Sequence, residues 1–182
     1  MRNVLIVHGA EGYPQENWFP WMKEELQKLG CEVLVPQFPT PQGQVLADWM
    51  EVFESNRGQL GEDAILIGHS LGVPFVLNAL EEYPAHAAFL VAGFVGKAGN
   101  VFDESMKSFS QREFEWGKIR ENCREFYVLH SDNDPYIKLE KGQEVAKKLR
   151  VGLTLVKGAG HFNAKAGYVK FPLLLEMVKE EL

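Results

Sequence analysis

Short apolar runs of strand type alternate with segments of helical period from one end of the chain to the other, and no other feature restricts its fold as much. Strands joined through helices run parallel, and the helices then cover both faces of the sheet. The runs predict an α/β fold with six mostly parallel strands, near 3–7, 32–36, 63–67, 87–92, 125–130 and 152–157. A first crossover helix is predicted with Asn17 as N-cap, Pro20 in its first turn, Trp18, Met22, Leu26 and Leu29 as its buried stripe, and Gly30 at its end. A second spans about 45–57, with Leu46, Trp49 and Phe53 inward and Gly58 as its stop. A last one spans about 171–181 and packs Leu174 and Val178. At 182 residues the chain fits a single domain over 1–182, which needs neither metal nor disulfide to hold it. The segment 93–124 is about twice as long as an ordinary connection, which predicts an excursion as well as a helix near 115–121.

The third run, Ala64-Ile65-Leu66-Ile67, leads directly into Gly68-His69-Ser70-Leu71-Gly72. Val73, Phe75, Val76, Leu77 and Leu80 then recur at helical spacing until Tyr83 and Pro84. A G-x-S-x-G turn between strand and helix is strained and lifts its serine hydroxyl above the sheet, while the glycines let strand and helix crowd together. Ser70 is therefore the candidate nucleophile, and a bulky residue at 68 or 72 is expected to disrupt the turn. A serine hydroxyl is inert at neutral pH without a base and a group to orient that base. His161 follows the strand-like 153–156 in a glycine-rich loop, and Asp134 follows the strand-like 126–130 in Ser131-Asp132-Asn133-Asp134-Pro135. Serine, acid, histidine is the chain order of the α/β-hydrolases, with each group at the carboxyl end of its own strand. Val4–Val7 ends in His8-Gly9-Ala10, so the N–H groups of Ala10 and Leu71 are the expected oxyanion donors, with His8 bracing that loop.

Around this unit, His8, Gly9, Trp18 and Trp116 are candidate substrate contacts. The aromatic residues of 93–124, among them Phe94, Phe102, Phe109, Phe114 and Trp116, either wall an apolar pocket beside Ser70 or bury the segment against the body. His69 is expected to be a packed, hydrogen-bonded histidine, His130 a strand-end residue and His86 a surface one. Cys31 and Cys123 lie off any glycine-flanked turn and read as small buried residues, and the five histidines lack metal-ligand spacing. No metal and no cofactor is expected. A net charge of −6 without cationic clusters disfavours nucleic acid as a partner. The N-terminal apolar run is too short for a signal or spanning segment, so no membrane association and a cytoplasmic location are expected.

The Val-His-Gly near residue 8, the run Asn17-Trp18-Phe19-Pro20-Trp21, Gly68-His69-Ser70, Trp116 with Ile119 and Asn122-Cys123, Asp134-Pro135, and Gly160-His161-Phe162 together resemble the small serine hydrolase family that includes retinoblastoma-binding protein nine. The resemblance covers nearly the whole chain. It implies a compact α/β-hydrolase with minimal or no cap, and a triad of Ser70, Asp134 and His161 acting on ester or amide substrates. The Asp-Pro pair favours Asp134 over Asp132, which is expected to cap the turn through its own backbone. A Leu-x-Cys-x-Glu motif for the retinoblastoma pocket is absent, so the protein partner stays unknown.

The expected chemistry is hydrolysis of small carboxylester, thioester or aminoacyl substrates through an acyl-enzyme. His161 would act as base, Asp134 as its orienting acid, and Ala10 and Leu71 as donors to the oxyanion. The rival reading is a non-catalytic protein-binding module on a hydrolase scaffold, since a fold does not fix a function.

Overall fold

A computed structural model describes residues 2–182. The six strands are β1 Val4–Val7, β2 Val33–Leu34, β3 Ile65–His69, β4 Ala85–Val91, β5 Cys123–His130 and β6 Leu153–Leu155. They form one sheet in the order β2-β1-β3-β4-β5-β6, with every neighbouring pair parallel. From β1 the chain goes to one side to make β2 and returns to the other to make β3. The strand order therefore reverses between β1 and β3, where loops at the carboxyl ends diverge and leave a crevice.

Among the described residues, six α-helices connect these strands, α1 Phe19–Lys28, α2 Leu46–Leu60, α3 Gly72–Ala79, α4 Asp103–Ser110, α5 Trp116–Asn122 and α6 Leu139–Leu149, and α7 Pro172–Lys179 follows β6. The period-two alternation of the strands divides the core. Val4, Ile6, Ile65 and Ile67 face α1 and α7, packing with Phe19, Met22, Leu26, Leu174 and Val178. Leu5, Val7 and Leu66 face the other way, toward Trp49 and Phe53 of α2, Phe75 of α3, Phe109 of α4 and Val145 of α6. Both faces of the central strands are apolar because both are covered.

α3 departs from the amphipathic pattern: every residue from Gly72 to Ala79 is buried, since α2 and α4 close over the side that faces away from the sheet. Its polar member, Asn78, donates from Nδ2 to the carbonyls of Pro74 and Phe109 and accepts from Arg112, so no buried amide group is stranded. The excursion in 93–124 is α4, whose Met106 and Phe109 are buried, and α5 forms close to the predicted position.

Three local expectations are corrected. Asn17 does not cap α1: it has φ 53°, and its Oδ1 accepts the Ala164 N–H, tying the start of α1 to the loop after His161. Leu29 is 38% exposed, because the helix ends at Lys28 before the stripe completes another turn. Gly58 lies inside α2, which continues to Leu60 and stops at Gly61 with φ 74°, a left-handed conformation that suits glycine. α6 adds a helix beyond those expected, with Val145, Ala146 and Leu149 buried at helical spacing.

Candidate active site

Ser70 sits on the turn between β3 and α3 with φ 55°, a left-handed backbone that a residue with a Cβ adopts only under strain. Its neighbours hold it there. The Ser70 N–H donates to the Val91 carbonyl at 2.9 Å, and the Val73 N–H donates to the Ser70 carbonyl at 3.0 Å. A Cβ at Gly68 would lie 2.6 Å from the Gly72 carbonyl oxygen, and one at Gly72 would lie 2.4 Å from the Val7 carbonyl oxygen. Strand and helix thus approach within distances that only glycine permits. Glu11 and Ala92, which follow β1 and β4, and Phe162, next to His161, share the positive φ, as do Asn17 before α1 and Arg150 at the end of α6.

Asp134 and His161 come from the loops after β5 and β6. His161 Nδ1 and Asp134 Oδ2 are 2.7 Å apart, and Asp134 Oδ1 accepts the N–H groups of Tyr136 and Ile137 at 2.8 and 3.0 Å. Burial pushes the Asp134 pKa up, but the His161 hydrogen bond and the charge and backbone donors around it outweigh burial and hold it below the ordinary value. An ionised carboxylate only accepts, so Nδ1 carries the proton and Nε2 is left with a lone pair when the ring is neutral. The turn itself binds the histidine loop. Asp132 Oδ1 accepts from Gly158 N–H, and Asn133 Oδ1 accepts from Gly160 N–H, both at 2.8 Å. Asp132 therefore ties two loops together, where a cap on its own turn was expected.

His69 adjoins His161, with ring centroids 4.9 Å apart. Its Nε2 lies 2.8 Å from the His161 carbonyl, which can only accept, so Nε2 carries the hydrogen. Burial, with a smaller contribution from His161, lowers its pKa to about 3, and it stays neutral at working pH. On the β1 side, His8 is buried between Phe38 and Trp49. It donates from Nδ1 to the Gly9 carbonyl and accepts the Phe38 N–H at Nε2, at 2.8 and 3.0 Å. Gly9 runs so close to Ser70 that a Cβ there would lie 3.1 Å from Ser70 Cβ. The N–H groups of Ala10 and Leu71 have no hydrogen-bond partner among the described residues.

These loops enclose a cavity of about 220 Å³ lined by Gly9, Ala10, Ser70, His161, Phe102 and Met106, among others. His161 and Ser70 share it, and Ser70 Oγ makes no hydrogen bond among the described residues. The profile of the serine hydrolase family matches residues 4–180, nearly the entire chain. The chain belongs to the serine hydrolase family. Its curated relatives include the putative hydrolase YdeN of Bacillus subtilis, 26% identical over 97% of this chain and 94% of that one. Serine hydrolase RBBP9 of Rattus norvegicus is 28% identical over 98% of this chain and 95% of that one. The crystal structure of the B. subtilis ydeN gene product superposes with a TM-score of 0.91 at 26% identity, covering 100% of this chain and 98% of that one.

In this serine hydrolase, three of the anticipated substrate contacts lie off the cavity. Trp18 is fully buried and donates from Nε1 to the Phe162 carbonyl at 3.0 Å, so it fixes the residue after His161. His8 stands behind Gly9 and braces the loop. Trp116 lies in a separate surface cleft with Arg112, Glu144 and Lys148, on α5, which packs against β5 and α6. His86 is half-buried and not a surface residue, since its Nε2 meets Glu181 Oε2 at 2.7 Å. The cavity-lining residues that sequence reasoning missed are Glu16, Asn100, Tyr136, Ile137 and Asn163. All lie in loops or at loop ends, where no periodicity marks which way a side chain turns.

Proposed function

We propose that this serine hydrolase cleaves small carboxylic esters, thioesters or amides through an acyl-enzyme on Ser70. The observation that carries the reading is the 2.7 Å pair of His161 Nδ1 and Asp134 Oδ2 opening onto the same cavity as Ser70. Substrate binding brings Ser70 Oγ and His161 Nε2 into hydrogen-bond reach, a contact that often tightens only in the complex. His161 Nε2 then takes the hydroxyl proton as Oγ bonds to the carbonyl carbon, and Asp134 holds the imidazolium that forms. The carbonyl electrons move to oxygen, where the N–H groups of Ala10 and Leu71 receive the charge; losing one such donor typically costs about 3 to 4 kcal/mol. As the C–O, C–S or C–N bond breaks, His161 returns the proton to the leaving group, and water repeats the sequence to free the acid.

The cavity, at about 220 Å³, is below the usual range for drug-sized ligands and suits short acyl groups over long lipids. A fluorophosphonate probe tests the reading. It should label the parent protein and leave folded Ser70→Ala unlabelled, and chromogenic esters of graded length should show a preference for short chains. Folded parent protein that takes no Ser70-dependent label would end the hydrolase reading and favour a binding module.

A further inference from the structure

One carboxyl group in the cavity has no part in this chemistry. Glu16 lies on the loop before α1, in a turn closed by its own N–H to the Tyr13 carbonyl and by the Phe19 N–H to its carbonyl. It lines the cavity together with Ser70 and His161. Its side chain folds back over Gly12, where an added Cβ would lie 2.5 Å from Glu16 Oε1, 3.0 Å from the Gly9 carbonyl and 3.1 Å from His8 Nδ1. The carboxyl is thereby held against the loop that carries the Ala10 N–H.

No Lys or Arg lines the cavity, and Glu16 forms no ion pair among the described residues, its carboxyl meeting the Tyr13 backbone without a counter-charge. The nearby imidazoles of His8 and His69 both have pKa values lowered by burial, so neither supplies a positive charge at neutral pH. Burial without a counter-charge raises the Glu16 pKa to about 7, against a smaller opposing effect of the Tyr13 backbone. A carboxyl in that condition gains from any cation that enters with the substrate. Phe102, Met106 and Ile137 offer the same ligand an apolar lining for its methylene groups.

We propose that Glu16 selects substrates that carry an alkylammonium group, holding that cation while Ser70 attacks the carbonyl close by. The assignment rests on the hydrolase reading and narrows it to amine-bearing esters and amides. It also makes anionic acyl groups poor substrates, since their carboxylate would meet Glu16.

Two matched pairs test it at pH 8, where Glu16 is ionised. One pair places the charge on the acyl side, p-nitrophenyl β-alaninate against p-nitrophenyl butyrate. The other places it on the leaving group, acetylthiocholine against its uncharged 3,3-dimethylbutyl thioacetate analogue. For each pair the quantity read is the ratio of kcat/KM for the cationic over the neutral member, and comparing that ratio between parent and variant cancels intrinsic reactivity. In at least one pair, Glu16→Gln should lower the ratio by about 10- to 100-fold, the value of one charged hydrogen bond for the primary ammonium of the β-alaninate and of a close ion pair for the quaternary ammonium, which has no N–H to donate. Glu16→Asp, which keeps the charge with a shorter reach, should retain part of it. Ratios that match in the parent and Glu16→Gln for both pairs overturn the assignment, as does a protein that takes the fluorophosphonate at Ser70 yet turns over none of the four esters. Absence of any Ser70 labelling instead removes the hydrolase reading on which the assignment stands.

Discussion

The loop after β3 and the loops after β5 and β6 meet at one cavity, yet they are held by different forces. Ser70 is fixed by crowding: its turn has glycine at 68 and 72 because backbone atoms of β1 and α3 fill the space where a side chain would stand. Asp134 and His161 are fixed by polar bonds, with Asp132, Asn133 and Asp134 each contributing a carbonyl or carboxylate oxygen to the neighbouring loop or ring. Steric placement tolerates almost no added volume, whereas a hydrogen-bond network tolerates volume but not a change of donor to acceptor. The first region should therefore fail through stability and the second through chemistry.

The largest effect expected is at Asp134. In Asp134→Asn the amide oxygen would go to the Tyr136 and Ile137 N–H groups that Oδ1 now receives, turning the NH₂ toward His161 Nδ1. A ring that accepts at Nδ1 carries its hydrogen on Nε2 and cannot take the serine proton. Ester hydrolysis should fall by about 10⁴ with the unfolding midpoint little changed. Asp132→Asn is the matched control, because its amide oxygen can still accept the Gly158 N–H, and its rate should stay within a few-fold of the parent. Equal losses in the two variants would show that the network acts only as scaffold.

Gly72→Ala is the counterpart on the crowded side. Its Cβ would lie 2.4 Å from the Val7 carbonyl oxygen and 3.0 Å from that of His8, in the central strand and the loop after it, which cannot move without breaking the sheet. Overpacking of this kind should cost about 3 kcal/mol or more, read from urea unfolding. Loss of activity with full stability would mean that the crowding positions the turn without supporting the fold.

His69 links the two regions, and its effect is graded by pH. Its pKa is lowered to about 3 in the folded protein against about 6.5 in the unfolded chain, so on acidification the unfolded state binds a proton that the folded state refuses. Stability should then fall as pH drops from about 6.5 toward 3, by up to ~1.4 kcal/mol per pH unit for this one group. His8 and His130, also lowered mainly by burial, act in the same direction. The lowered pKa of Asp134 adds to the loss at still lower pH, where its stabilising charge is removed. Unfolding midpoints measured from pH 7 to 4 should decline less steeply in His69→Gln, whose amide can still donate to the His161 carbonyl. An unchanged slope would assign the acid lability elsewhere.

The same contrast explains what could be read from the amino-acid sequence. Features set by burial and backbone sterics leave periodic or glycine signals, so all six strands, α1, α3 and α7 and the glycine-flanked serine turn were legible in the pattern of Val4–Val7, Ala64–Gly72 and Leu174–Val178. Features set by side-chain hydrogen bonds across loops leave none. That Asn17 serves Ala164 and not its own helix, or that Asp132 serves Gly158, depends on a partner distant in sequence. Glu16 was silent for the same reason, since an exposed-looking glutamate in a loop resembles any solvated charge until the cavity beside it is seen. Trp18 and Trp116 read both ways because a large aromatic suits a pocket wall and a core equally well, and neither lines the cavity.

The smallest expected effect separates two residues of the 93–124 segment. Trp116 stands on α5 over Phe114, with ring centroids 5.3 Å apart, and belongs to the cleft of Arg112 and Lys148. Met106 stands on α4, is buried, and lines the cavity that holds Ser70. Trp116→Ala should remove packing worth about 1 kcal/mol or more and change kcat/KM for short esters less than about twofold. Met106→Ala should instead enlarge the acyl space and shift the optimum toward longer chains by one or two methylenes, with a few-fold change in kcat/KM, since a methylene in an apolar pocket is worth about 1–3 kcal/mol. A length profile that moves with Trp116 and not with Met106 would mean that α5, and not α4, borders the acyl group in the complex, and that the segment rearranges when substrate binds.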